Sequence, residues 1–159
     1  DTSVTGVQTC ALPISLFDLP GVVDQAGTRF ADAGQGDRIT VHPGNFRTDS
    51  LPSGPDTITL VRVLYDHEDA TVAALLRKVF DALPAGGRLI VSEPMSGGAS
   101  PERAGDAYFA LYCAAMGTGR TRSPSEVGRL VTAAGFTRVQ EPRVDRRFIT
   151  RVVTGDKSR

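Results

Sequence analysis

From Ser15 onward the apolar positions alternate between two periods, and that alternation draws the elements. Residues 15–18 are a short apolar run ending in an acid, followed by Leu19-Pro20, where proline suits the first turn of a helix. Val22, Val23, Ala26, Phe30 and Ala33 then recur at helical spacing, predicting a helix over 20–33 that stops at Gly34. Ile39 and Val41 alternate with polar neighbours over 38–42, a second strand closed by Pro43-Gly44. Residues 56–64 (D-T-I-T-L-V-R-V-L) read as a third strand, β-branched and nearly all apolar, as a strand covered on both faces would be. Val72, Leu75, Leu76, Val79, Phe80 and Leu83 predict an amphipathic helix over 70–83, and R-L-I-V-S at 88–92 a fourth strand. A helix over 101–116 carries an aromatic face of Tyr108, Phe109 and Tyr112 with Leu111. Ser123-Pro124-Ser125-Glu126 is a capping box that starts a helix ending at Ala134. Residues 136–139 and 148–153 close the pattern as two strands, antiparallel because the loop between them is short. Strands separated by crossover helices predict an α/β fold, a parallel sheet with helices on both faces.

Composition narrows the class. The chain has 159 residues, 40% hydrophobic and 23% charged, with 18 basic against 18 acidic side chains. That is apolar material for one globular domain with a core. No apolar run reaches the roughly 20 residues of a membrane span, because Asp, Arg, Gly or Pro interrupts each one. A formal net charge of zero, with no dense basic block, argues against a nucleic-acid partner. Two Cys and two His make neither a structural zinc site nor a disulfide framework, and a reducing cytoplasmic setting is expected.

The amino terminus stands apart. V-T-G-V-Q-T-C-A-L-P-I at residues 4–14 resembles, residue for residue, the translation of a sequencing-library adaptor. A signal peptide would need a basic start and an apolar stretch of about 7–15 residues, and neither is there. Residues 1–14, Cys10 among them, are therefore expected to be foreign to the fold, and Cys113 to be the native thiol.

In parallel sheets ligands bind beyond the carboxyl ends of the strands. Those ends are Asp18, then Gly44-Asn45-Phe46, then Tyr65-Asp66-His67, then Glu93-Pro94-Met95. A carboxylate at such an end can accept from both hydroxyls of a ribose, but Asp18 alone is equally a helix-capping acid.

Taken in order, F-D-L-P at 17–20, G-N-F at 44–46, L-P-S-G-P-D at 51–56, R-V-L-Y-D-H at 62–67, L-P-A-G-G-R-L-I-V-S-E-P-M at 83–95, A-M-G-T-G-R-T-R-S at 115–123 and A-A-G-F at 133–136 carry a resemblance. Over residues 15–153 the chain is similar to the catalytic domain of S-adenosylmethionine-dependent O-methyltransferases of the plant-caffeate and bacterial small-molecule type. Within that group it is most similar to the carotenoid hydroxyl methyltransferases of purple phototrophic bacteria, which act on the tertiary 1-hydroxyl of hydroxyneurosporene or demethylspheroidene. The resemblance implies a Rossmann-like class I methyltransferase sheet, here lacking its first strand and glycine-rich loop. It also implies S-adenosylmethionine as cofactor with no metal, a small apolar hydroxylated acceptor, and a homodimer built through a helical amino-terminal domain. The chain is then a partial catalytic domain over 15–153 with a flexible tail over 154–159, and is expected to be a poor methyltransferase by itself.

The resemblance also assigns residues. Asp18 matches the acid that binds the cofactor ribose, with Leu19 beside it, and Arg62 joins the cofactor-binding set. Asn45 and Phe46 match the acidic and aromatic pair at the adenine, with Asn in place of Asp; its amide oxygen still accepts from an amino group. Tyr65 stands where most of the family has the His that takes the acceptor's proton. A phenol ordinarily titrates near about 10, against about 6.5 for imidazole, so tyrosine is a poor base at neutral pH. His67, where the family usually has Trp, is the candidate to take over, though it is also an ordinary loop histidine in a charged D-H-E-D stretch. Glu93 matches the acid that orients the base. The expected mechanism has Tyr65 positioning the hydroxyl, while His67 or a water held by Glu93 receives the proton. Tyr108, Tyr112 and Met116 are candidate walls of the acceptor pocket, or packing.

Other features have plainer readings. Asp66, Glu68 and Asp69 suit the positive end of the helix that follows better than a metal. His42 reads as a hydrogen-bonded strand residue. Arg143, Arg146, Arg147, Arg151, Lys157 and Arg159 form a solvated edge, or a peripheral contact with anionic membrane. Methylation of a bacteriochlorophyll-type ring or other small molecule stays open, as does a non-catalytic methyltransferase-like binding module.

Overall fold

The computed structural model describes residues 13–145 and 150–159. The adaptor-like stretch through residue 12, Cys10 included, and residues 146–149, with Arg146, Arg147 and Phe148, lie outside the described residues. Where the sequence predicts one domain, the chain divides into two compact units, one through Pro52 and one from Ser53.

In the first unit β1 (Ile14–Asp18) pairs in parallel with β2 (Ile39–Pro43), Ile14 opposite Ile39 and Asp18 opposite Pro43. Ile14, set aside with the terminal stretch, is thus a strand residue, its amide donating to Arg38 O. α1 (Pro20–Asp32) connects the two strands. Pro20 at its start has no amide to leave unpaired, and the Leu19 amide donates to Asp18 Oδ1 at 2.7 Å. The apolar face is narrower than predicted: Val23 is buried and Phe30 half-buried, but Val22 is 47% exposed and Ala33 also faces solvent. Val22 and Val23 lie about 100° apart around the helix, so one turns outward when the other packs.

In the second unit β3 (Thr57–Val61), β4 (Arg88–Glu93), β5 (Thr137–Gln140) and β6 (Arg151–Asp156) form one sheet in the spatial order β3-β4-β6-β5. β3 and β4 are parallel, and β6 runs antiparallel to both β4 and β5, so the closing pair has the predicted sense. Among the described residues the expected α/β fold takes the form of a parallel pair in one unit and, in the other, a sheet whose parallel pair is closed by antiparallel strands. Among the described residues no crossover helix separates β6 from β5, and a connection without one suits the antiparallel sense.

α2 (Asp69–Ala82) buries Val72, Leu75, Leu76 and Val79, one stripe at helical spacing, each worth about 1.5–3 kcal/mol on leaving water. Leu83 follows, ahead of Pro84, which disfavours further helix. β4 alternates strictly, so the period of two that buries Leu89 and Val91 also buries Glu93 on the same face.

Three boundaries differ from expectation. β3 stops at Val61, because Arg62 turns to φ 57° and Leu64–Asp66 coils into a 3-10 turn. The helix predicted over 101–116 is a π-helical turn, Arg103–Tyr108, leading into α3 (Phe109–Met116). There Asp106 Oδ2 accepts from the amides of Gly97 (2.8 Å) and Glu102 (2.6 Å), which ties the wide turn to the preceding loop. β6 continues through Asp156, so residues 154–156 of the expected flexible tail lie in the sheet. Lys157 Nζ then donates to Phe80 O and Leu83 O, both at 2.7 Å, at the carboxyl end of α2. Arg151 pairs with Glu102 and Glu141, so these two cations of the basic edge are structural. α4 (Pro124–Ala133) opens on the predicted capping box. Among the described residues no helix is long and apolar enough to cross a membrane.

Candidate active site

The first unit brings the carboxyl ends of its two strands together. Gly44 N donates to Asp18 O at 2.9 Å, which sets Asp18 beside Asn45 and Phe46. The approach is close: a Cβ at residue 44 would lie 2.4 Å from the edge of the Phe17 ring, which would have to move to admit it. Asp18 Oδ1 accepts from the Leu19 amide, ahead of a helix that has no side-chain cap. A carboxylate has about four lone-pair sites, which leaves capacity for a hydroxyl pair. Asn45 is committed more deeply to its own loop. Its Oδ1 accepts from Arg47 N at 2.9 Å, and its backbone N–H donates to Asp49 Oδ2 at 2.8 Å. One lone pair of that oxygen remains for an amino group. Phe46 is half-buried, with the Arg47 guanidinium 6.0 Å from its ring centre.

The second unit builds an aromatic cluster around Tyr65, which is only 3% exposed. Phe109 meets its ring edge-on at 5.9 Å, Tyr112 lies tilted at 5.8 Å, and Tyr108 packs edge-on against Phe109 at 5.0 Å. Arg62 lies over both the Tyr65 and Phe109 rings at 5.7 Å, and its Nη2 donates to Tyr65 Oη at 3.2 Å. That hydrogen bond raises the Arg62 guanidinium further above its ordinary range. Arg62, assigned by resemblance to the cofactor, is thus committed to the aromatic cluster. Met116 is 56% exposed at the carboxyl end of α3.

Glu93, assigned by resemblance to orienting the base, holds backbone of the loop that carries Tyr65. Its side chain is 1% exposed, and Oε2 accepts from Leu64 N at 2.9 Å. Oε1 is buried without a partner in hydrogen-bonding geometry among the described residues. Burial pushes the carboxyl up to about 7, against the pull of the Leu64 amide, Arg122 and the Tyr65 amide.

Asp66, which sequence reading set aside as a helix-end acid, belongs to this cluster. Its Oδ1 is buried without a hydrogen-bond partner among the described residues, and desolvation raises its pKa against the opposing pull of His67 and Arg62. Its charge is the main reason the Tyr112 phenol is pushed up. Burial, with Asp66 adding, also raises the Cys113 thiol, whose Sγ donates to Tyr65 O at 3.4 Å. Nothing in hydrophobic periodicity marks these two residues; only their adjacency to Tyr65 in space does. Among the described residues no group of His, Cys, Asp and Glu is placed to hold a metal ion.

The family model for the O-methyltransferase domain matches residues 8–137, beginning inside the stretch read above as foreign. Demethylspheroidene O-methyltransferase of Rhodobacter capsulatus is 53% identical over 146 residues, 92% of this chain and 36% of that protein. The protein of the same name from Cereibacter sphaeroides is 54% identical over 129 residues, 81% of this chain and 34% of its own length. Human N-acetylserotonin methyltransferase in complex with SAM superposes with a TM-score of 0.80 at 26% identity, covering 92% of this chain and 41% of that one. This chain therefore spans little more than a third of the length of these curated relatives.

Proposed function

Because the chain belongs to the O-methyltransferase domain family, we propose that its protein transfers a methyl group from S-adenosylmethionine to a hydroxyl of a small apolar acceptor. The acceptor we propose is an acyclic carotenoid with a tertiary 1-hydroxyl, as in spheroidene-type biosynthesis. The observation that carries this reading is identity above one half, across most of the chain, with two relatives named for demethylspheroidene. Cytoplasmic action as a homodimer, with peripheral contact to the membrane that dissolves such an acceptor, belongs to the same proposal.

The donor set fits the cofactor. Asp18 at a parallel strand end suits a ribose hydroxyl pair, and the Phe46 ring with the Asn45 amide suits a purine. S-adenosylmethionine, when bound, supplies a methyl group already activated on a sulfonium centre. The protein's remaining work is to place the acceptor oxygen and to receive its proton late. Arg62 donates to Tyr65 Oη, so the phenol's own hydrogen is directed elsewhere and can be given to the acceptor oxygen. Tyr65 thereby positions the hydroxyl, and Tyr108, Phe109 and Tyr112 supply an apolar wall suited to a hydrocarbon body. His67, on the same loop, receives the proton. A tertiary alcohol is far less acidic than a phenol, so proton loss accompanies or follows methyl transfer.

The test is methyl transfer itself, by the full-length protein that contains this chain, from S-adenosylmethionine labelled in its methyl group to demethylspheroidene dispersed in detergent. Label is expected in the carotenoid. Tight binding of S-adenosylhomocysteine with no transfer to any acceptor would instead support a non-catalytic module, and label in a bacteriochlorophyll precursor alone would move the acceptor.

A further inference from the structure

Every backbone carbonyl from Leu64 to His67 is gripped by a side chain of the segment 113–122. Arg122 Nη1 donates to Leu64 O at 2.9 Å, Cys113 Sγ to Tyr65 O at 3.4 Å, Thr118 Oγ1 to Asp66 O at 3.0 Å, and Arg122 Nη2 to His67 O at 2.8 Å. From the opposite side Glu93 Oε2 accepts from Leu64 N. The loop that carries Tyr65 and His67 is therefore bonded at each peptide to another element.

Arg122 is the centre of this grip. Its side chain is 1% exposed, in a residue type that is almost never fully buried unless paired. Its charge is met by Asp69 Oδ1, 2.8 Å from Nε and 2.6 Å from Nη2, at the first turn of α2. Asp69 is held in turn by Arg120 at 3.1 Å, and both guanidiniums keep its carboxyl below the usual range. Removing a guanidinium from water costs several kcal/mol, so burial on this scale needs every donor aimed at a partner. Two of those partners are loop carbonyls.

The segment lies flat against the loop. A Cβ at Gly119 would sit 2.2 Å from Tyr65 O and 2.7 Å from His67 N, and Gly119 holds φ at 80°, so only glycine permits this approach. In sequence G-T-G-R-T-R has no apolar period and no acid or base in catalytic spacing, which is why no role could be assigned to it.

We infer that Arg122, with Thr118 at its side, is a positioning residue for methyl transfer: it fixes the 64–67 backbone so that Tyr65 and His67 present their side chains to the acceptor hydroxyl in one geometry. The inference rests on the function proposed above, and its effect is on turnover rather than on cofactor binding, since neither residue belongs to the cofactor set. Lysine at residue 122 keeps the charge for Asp69 but, as a single ammonium, cannot span Asp69, Leu64 O and His67 O together.

The test compares Arg122→Lys and Thr118→Val with the unaltered protein by backbone hydrogen exchange and by steady-state methyl transfer. Thr118 is exposed, so its variant folds even where Arg122→Lys does not. Exchange in the 62–68 segment is expected to rise about tenfold while the β4 and α2 amides are unchanged. kcat is expected to fall about tenfold or more with KM for S-adenosylmethionine unaltered, and Thr118→Ser to restore both readouts. Unchanged exchange in 62–68, a uniform rise throughout the chain, or faster local exchange with normal kcat would each overturn the inference. Absence of methyl transfer by the unaltered protein would refute the proposed function, while the exchange comparison would still decide whether the grip exists.

Discussion

Arg62 reaches Tyr65 Oη from a backbone held at φ 57°, a left-handed conformation that a long side chain adopts at a cost of roughly 1–2 kcal/mol. Strain of this kind persists where the surroundings over-determine it, and it gathers at functional sites. Here the Arg62 amide is also bonded to Ser92 O at 2.9 Å, so the residue is held at its backbone N–H and at its guanidinium.

Stability and activity should therefore separate at residue 62. Arg62→Gly relieves the backbone, whereas Arg62→Lys keeps the strain and loses the hydrogen bond to Tyr65. Thermal unfolding is expected to rank glycine above lysine by about 1 kcal/mol, while both variants lose turnover about tenfold. A lysine variant as stable as the glycine variant would show that the strain is not there.

Glu93 predicts an unusual pH dependence. Its pKa rises from an ordinary 4.5 to about 7 in the folded chain, so the native state holds a proton that the unfolded chain releases. Stability from this group is complete below about pH 4.5 and is lost as pH climbs through 7, by roughly 3 kcal/mol in all. Glu93→Gln removes the charge but keeps an oxygen for the Leu64 amide. It should raise the melting temperature at pH 8 and flatten the slope between pH 5 and 7.5. An unchanged slope would mean that Glu93 is ionised throughout.

How far the sequence revealed this site depended on which periodicity each residue obeyed. Glu93 sits in register with Leu89 and Val91 on a strict two-residue alternation, so its strand and its end position were legible. That it would bond to a peptide group rather than to a side chain was not, because nothing in a strand pattern says what faces the next loop. Residues 62–64 read as strand because Val63 and Leu64 are apolar; the break at Arg62 depends on a tertiary aromatic contact that local propensity cannot see. The capping box at Ser123, a purely local device, came through intact. Asp66 and Arg122 were invisible for the opposite reason: each owes its role to partners far along the chain or to burial that charged residues seldom have.

Tyr65 and His67 can be told apart by substitution. Tyr65→Phe keeps the ring contacts with Phe109 and Tyr112 and loses the hydroxyl, so stability should change by no more than about 1 kcal/mol. Methyl transfer should fall about a hundredfold if the phenol positions the acceptor. His67→Ala should instead remove the acidic limb of the pH profile of kcat, because that limb reports protonation of the base. Normal turnover by His67→Ala across neutral pH would reassign the proton, with the half-buried Asp66 carboxyl beside it as the group to test next.

The α4 cap opposes Glu93 in its pH response. Glu126 Oε2 accepts from Ser123 N and Ser123 Oγ, both at 2.8 Å, while Oε1 accepts from Arg120 at 3.0 Å. The Ser123 amide above all, with Arg120 adding, lowers its carboxyl to about 2. A depressed acid stabilises the fold above its unfolded value and loses that contribution as pH falls from about 4.5 toward 2. Glu126 thus favours pH above 4.5 and Glu93 favours pH below it, and the two slopes meet near their shared ordinary value. Ser123→Ala removes one side of the capping box and should cost about 1 kcal/mol at pH 7. At pH 2, where Glu126 is about half protonated in the unaltered chain, the difference should shrink. Chemical unfolding at both pH values measures it, and an equal cost at pH 2 and 7 would show that the Ser123 hydroxyl, not the Glu126 charge, carries the cap.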